Sequence, residues 1–277
     1  MELLRPSSLD ELERLDEAGD TLLLAGGTEV VPLLREGLVR PGTLVDVAGL
    51  VPRGVEGTRI GAGATLAELE VDPQVPEALR EACRLAASPQ LRNMGTVAGN
   101  LLQATRCWYW RLGYPCRLRG GERCHARDGE HREHAILANG FCASAHPSDV
   151  AAALVALGAT LRTTRRELPV RDLYRVPTES DLRTTVLEPG EVALELDVPP
   201  ADASTYLKAM DRKRFAFALV GVAAVRRGGE TTVALAGVAP VPWLLDGSLD
   251  EATPLPGNAY KLELARALVA RARAAVA

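Results

Sequence analysis

Apolar residues in "SSLDELERLDEAGD" return at helical spacing behind Ser7 or Ser8, either of which can cap the first turn, so the stretch predicts a helix. "TLLLAGG" predicts a short buried strand ending on a glycine pair, and "TEVVPLLREGLV" resumes the helical period: strand, tight turn, helix. "TLVDVAGL" and "TRIGAGATLAELE" are strand-like with glycine-rich ends. The second leads into a helix from Thr65, where Glu68 three positions on completes a capping box. A helix over "PEALREACRLAAS" and the segment "PQLRNMGTVAGNLLQAT" follow. "HPSDVAAALVALGATLRT" predicts a helix capped near Ser148, closed by Gly158 and running into a strand.

From about Leu168 the texture changes to strands in "ELPVRDLY", "EVALELDVP", "ASTYLKAMDRKRFAFALVGVAAVRR" and "TTVALAGVAP", and the amphipathic "AYKLELARALVARARAAVA" closes as a helix. The change between about Thr160 and Val176 divides the chain into units 1–167 and 168–277, which suits its 277 residues. The first unit splits into subdomains of about 1–55 and 56–167, the latter carrying a Cys-rich insertion at 106–142. Mixed segments without regular βαβ alternation indicate an α+β fold.

Composition removes several classes of function. A formal charge of −4 with scattered basic residues leaves no electrostatic footprint for nucleic acid. No apolar run reaches the ~18 residues that membrane insertion needs, and the acidic start "MELLRPSSLDELERLDEAGD" contains no signal-peptide core, so the expected location is cytoplasmic. A reducing compartment and an odd number of cysteines argue against structural disulfides.

Two segments carry candidate chemistry for phosphate. "AGGTE" (Ala25, Gly26, Gly27, Thr28, Glu29) and "GTVAGN" (Gly95, Thr96, Gly99, Asn100) are glycine turns, and glycine lets backbone N–H groups approach a pyrophosphate closely. Turn formation alone also explains glycines here, and neither segment is a Rossmann fingerprint. Four of the five cysteines fall in the insertion, spaced C-x8-C-x7-C-x17-C at Cys107, Cys116, Cys124 and Cys142. Four thiolates suit tetrahedral zinc or a cubane iron–sulfur cluster, although no CxxC knuckle is present. His125, His131 or His134 could replace Cys142. Trp108, Tyr109 and Trp110 anchor the loop or shield a metal from water. Cys83, on the apolar side of its helix, reads as core.

In order along the chain, "LLLAGGTEVVPLLREGL", "RIGAGATLAELE", "SPQLRNMGTVAGNLLQAT", "HPSDVAAALVALGATL" and "YLKAMDRKRFAFALVGVAA" resemble the FAD-binding (medium) subunits of the xanthine dehydrogenase and carbon monoxide dehydrogenase family. The insertion "TRCWYW…PC…RGGERCH…FCASAHPSD" resembles the 4-hydroxybenzoyl-CoA reductase type, whose four cysteines bind a [4Fe-4S] cluster. The gap before Cys142 is longer than in that type. The resemblance implies a vanillyl-alcohol-oxidase-type FAD-binding domain of two subdomains, plus a C-terminal α/β domain with an antiparallel sheet.

It further implies that Ala25 to Glu29 wrap the pyrophosphate and that Gly95, Thr96, Gly99 and Asn100 make a second phosphate and ribityl contact. Asp149 would bind the ribityl chain or the adenosine side, unless it serves only as a helix cap. Lys208 would lie at the isoalloxazine and stabilise charge on the reduced flavin, unless it is a strand-surface charge. Ala216 stands where related chains carry an acid. The expected activity is electron transfer within an oxidoreductase, alongside a molybdopterin-binding large subunit and a [2Fe-2S] small subunit. The rival readings are a stand-alone FAD oxidoreductase using NAD(P)H and a zinc-stapled module without flavin.

Overall fold

The computed structural model describes residues 1–16 and 20–277. The first helix spans Leu9–Asp16, with Ser8 Oγ accepting the N–H of Glu11 at 3.2 Å; its expected continuation through 17–19 lies outside the described residues. Among the described residues the strands form three sheets.

The first sheet is parallel, with Thr43–Asp46 between Glu2–Leu4 and Thr21–Leu24. The glycine pair after Leu24 turns the chain into the helix Val30–Arg35, as the apolar pattern predicts. The second sheet runs Val55–Glu56, Arg59–Gly61, Ala193–Asp197, Thr160–Thr163, Glu167–Pro169, with antiparallel neighbours. Thr65 and Glu68 form the expected capping box at the head of Leu66–Val71.

The expected boundary at 167/168 cuts through this second sheet, because Ala193–Asp197 returns to pair with Arg59–Gly61 and Thr160–Thr163. The change from one sheet to the next falls instead at about 198–202. Strand composition marks where β structure begins; it carries no information about which partner a strand selects across 130 residues of chain.

The third sheet is antiparallel, in the order Trp243–Leu244, Glu230–Ala236, Val220–Arg227, Ala203–Ala209. Side chains alternate along Val220–Arg227. Ala223 and Val225 join the core of the helix Asp149–Leu157, whereas Val222 and Ala224 join that of the closing helix Tyr260–Val276. Every residue of Asp149–Leu157 is buried; Ser148 caps it and Gly158 ends it at φ +68.

One departure on the closing helix matters for the Cys-rich segment. Lys261 is 0% exposed, and its ammonium donates to the carbonyls of Glu133, His134 and Gly237 at 2.7–2.9 Å. Asn258 Nδ2 donates to the carbonyls of His134 and Ala135. The helix therefore pins the far end of an insertion that has little regular structure of its own. Lys261→Met would leave the carbonyls of Glu133 and Gly237 without this donor, Asn258 still serving that of His134, and the expected loss is about 2 kcal/mol of stability in urea denaturation, on the order of 1 per orphaned group.

Candidate functional site

The two glycine segments pack against each other. A Cβ on Gly26 would collide with the carbonyl oxygen of Met94, and one on Gly95 would come within 3.3 Å of Thr28 Oγ1. Gly27 takes φ +72, which a side chain disfavours. The backbone N–H groups of Gly26 to Val30 donate to no described residue, so they remain available to an anion. The second segment is fixed from beneath: Val97 and Ala98 donate to the carbonyls of Ala64 and Ala62, and Thr96 Oγ1 caps Gly99 at 3.1 Å. Asn100 Oδ1 accepts the hydroxyl of Ser148 at 2.6 Å, tying this loop to the head of Asp149–Leu157.

Two cavities meet across these loops. One, of about 340 Å³, is walled by Ala25 to Glu29, Thr96, Gly99 and the turn 188–193. The other, of about 270 Å³, shares Thr28, Glu29 and Gly99 and continues past Asn100 to Asp149, Lys208 and the loop carrying Arg212, Phe215 and Phe217. All eleven residues proposed from the sequence to hold the cofactor line one or both cavities.

Two of those residues are engaged differently from the expectation. Glu29 accepts Arg106 Nη2 at 2.6 Å, Arg111 Nη2 at 2.5 Å and the N–H of Ala104 at 3.1 Å, so its carboxylate anchors the start of the Cys-rich segment. Lys208 is 1% exposed on its side chain and binds Asp149 Oδ2 at 2.7 Å and the carbonyl of Leu85 at 2.9 Å. Tyr206 donates its hydroxyl to the other Asp149 oxygen at 2.5 Å, through space kept open because Gly221 has no Cβ. Lys208 is thus no strand-surface charge. Asp149 neutralises it, and the triad presents a fixed dipole to the cavity wall.

The four insertion cysteines converge on one small cavity, whose wall also includes Tyr109, Trp110 and His125. Cys107, Cys116 and Cys124 each stand at the cap position of a short helical turn, Trp108–Arg111, Arg117–Arg119 and His125–Asp128. Backbone N–H groups of Tyr109 and Trp110 beside Cys107, and of Leu118 and Arg119 beside Cys116, favour the thiolate forms. Ser144 bonds Cys142 Sγ at 3.3 Å. Burial pushes the Cys107 thiol up to about 12 and raises those of Cys116 and Cys142. Such a set is costly to ionise alone and well supplied with donors once a cation binds the sulfurs.

Of the histidines expected as substitute ligands, only His125 lines this cavity, with Nε2 unpartnered among the described residues. Both nitrogens of His131 are engaged, Nδ1 with the carbonyls of Ala126 and Gly129 and Nε2 with the N–H of Gly257. His134 stands behind Cys107, with Nε2 3.2 Å from Sγ. Among the described residues no three His, Cys, Asp or Glu side chains close on a single point suited to one ion. Cys83 is core, fully buried in its helix, as read from the sequence.

His146 lines a cavity with Arg106 and Cys107, stands edge-on to Tyr174 at 4.6 Å, and is pushed down to about 3 by burial. An unfolded chain titrates this group near 6.5. The unfolded state therefore binds an extra proton between those values, and the stability His146 contributes is complete above about pH 6.5 and lost as pH falls towards 3. His146→Phe is expected to flatten the acid limb of the stability profile by about 1.4 kcal/mol per pH unit, read by denaturation at pH 4–7.

The sequence reading missed Arg106, Arg111, Tyr206 and Lys261. Each acts on a partner tens of positions away, and only the Arg-rich start of the insertion carried a local signal.

Two glycine loops between paired cavities are the candidate dinucleotide site of an FAD-binding class of protein. The family model for the "FAD binding domain in molybdopterin dehydrogenase" matches residues 1–201, and the chain belongs to that family and is an oxidoreductase subunit. The aldehyde oxidoreductase FAD-binding subunit PaoB of Escherichia coli (strain K12) is 35% identical over 281 residues, covering 89% of this chain and 88% of that protein. The carbon monoxide dehydrogenase medium chain of Hydrogenophaga pseudoflava is 27% identical over 275 residues, 93% of this chain and 79% of that one. The solved carbon monoxide dehydrogenase from H. pseudoflava superposes with a TM-score of 0.70 at 24% identity, covering 100% of this chain and 96% of that chain; this likeness concerns the fold. Among the described residues no helix is long and apolar enough to cross a membrane.

Proposed function

We infer that this chain is the FAD subunit of a cytoplasmic molybdenum-hydroxylase-type complex and that it also holds a [4Fe-4S] cluster, as the 4-hydroxybenzoyl-CoA reductase type of insertion does. FAD and the cluster, when bound, supply electron transfer, linking an external carrier to a [2Fe-2S] small subunit and a molybdopterin large subunit. The observation that carries this reading is a four-cysteine cavity placed one residue from the wall of the flavin-side cavity: Cys107 lines the four-cysteine cavity and Arg106 the flavin-side one.

The chain's residues have distinct tasks in this reading. The free N–H groups of Gly26 to Val30, with Gly95, Thr96 and Gly99, bind the pyrophosphate in the manner of a vanillyl-alcohol-oxidase-type domain, and Asn100 orients the ribityl chain. The Lys208–Asp149–Tyr206 triad positions the isoalloxazine by its dipole, since Asp149 already satisfies the lysine charge. Cys107, Cys116, Cys124 and Cys142 ligate the cluster. Four thiols around one cavity suit a cubane cluster or a tetrahedral zinc, and the resemblance of the insertion to the 4-hydroxybenzoyl-CoA reductase type favours the cluster. Residues from 1 to about 200 form the FAD-binding part and the remainder the C-terminal domain.

Anaerobic purification followed by metal analysis and absorption spectroscopy tests this. One FAD and about four irons per chain are expected. One zinc and no flavin selects the stapled-module reading, and steady NAD(P)H turnover without partners selects the stand-alone reductase.

A further inference from the structure

His134 has no task in the scheme above, yet its ring is held from every side. It is 3% exposed and stands edge-on to Trp108 at 5.0 Å and 84°. Its N–H donates to the carbonyl of His131, and its own carbonyl accepts from Lys261 and Asn258, 127 and 124 positions away. The ring is thereby aimed with Nε2 at Cys107 Sγ, 3.2 Å away, while Nδ1 has no partner among the described residues. A sulfur that coordinates metal has no proton to give, so the bond then runs from Nε2–H to Sγ.

Cys107 is also set apart from the other three cysteines. It alone among them lines a further cavity of about 280 Å³, which shares Arg106, Pro147 and Phe217 with the flavin-side cavity. Arg106 lies over the Phe217 ring at 5.1 Å and is followed directly by Cys107. The Cys107 corner is the one that faces the flavin side.

We propose that His134 is a positioning residue that donates Nε2–H to the Cys107 sulfur and raises the reduction potential of the cluster at its flavin-facing corner. The proposal rests on the cluster reading above. Its physical basis is that the reduced cluster carries one more negative charge, shared by its sulfurs, and a donor fixed at one of them stabilises that state more than the oxidised one. The two backbone N–H groups at Cys107 act in the same sense, so His134 is the side-chain contribution to a donor set otherwise made by the main chain.

The test uses the full chain with FAD bound, titrated potentiometrically under anaerobic conditions and followed by EPR. His134→Phe keeps the ring against Trp108 and removes the donor. It is expected to retain full iron content while the electron partition between cluster and flavin shifts about tenfold towards the flavin, equal to about 59 mV for one electron. His134→Gln, which restores an N–H, is expected to recover most of that shift. In the unmutated protein labelled with ¹⁵N-histidine, pulsed EPR of the reduced cluster should detect a weak nitrogen coupling, a measurement independent of how any variant folds.

A Phe variant with full iron and an unchanged potential overturns the proposal, as does a Gln variant that behaves like Phe. Absence of the nitrogen coupling, or a coupling as strong as that of a direct ligand, overturns it as well. Iron content of the unmutated protein decides the cluster reading separately: no iron there removes that reading, whereas full iron with a silent His134 removes only this proposal.

Discussion

Gly26→Ala is expected to cost the protein its flavin. The added Cβ would occupy the position of the Met94 carbonyl oxygen, a backbone atom that no rotamer change can move aside. Relief requires separating the two glycine loops, whose Thr28, Glu29 and Gly99 are shared by the two cavities. Forced overpacking of this kind costs about 1–3 kcal/mol, so FAD affinity should fall roughly 10- to 100-fold. Fluorescence titration of FAD measures the loss, and circular dichroism shows whether the fold persists. An alanine variant that binds FAD as tightly as the parent would remove the glycine loops from the binding site.

On the proposed cluster reading, individual replacement of Cys107, Cys116, Cys124 or Cys142 by alanine is expected to reduce iron from about four per chain to one or less, because the cluster loses one of its four protein thiolates. His131→Ala is expected to leave iron unchanged, since both of its ring nitrogens are committed to backbone groups. Cys142 is the informative position. It lies 18 residues beyond Cys124, yet it lines the same cavity and is 7% exposed. Full iron in Cys142→Ala would instead make His125 the fourth ligand, its Nε2 being the unpartnered nitrogen in that wall.

Local features survived folding well. The capping box at Thr65, the Ser148 cap and Gly158 stop, and the strand–turn–helix at the first glycine pair stand where short-range chemistry placed them. These depend on neighbours within a few residues, and such interactions are visible in a string of letters. Pairing of strands was not legible: Ala193–Asp197 carries the same alternation whether it joins the second sheet or the third. A period of two reports a half-buried strand and nothing about its partner.

The same division runs through the site. Sequence alone singled out two glycine loops and four clustered cysteines as the candidate chemistry-bearing segments, because glycine and thiol act through properties of the residue itself. Tertiary structure decided what the charged residues do. Glu29 reaches Arg106 and Arg111, Asp149 is divided between Tyr206 and Lys208, and Lys261 crosses from the closing helix to the insertion. A buried charge is defined by the group that compensates it, and those partners are brought within 3 Å only when the separate layers of the fold close.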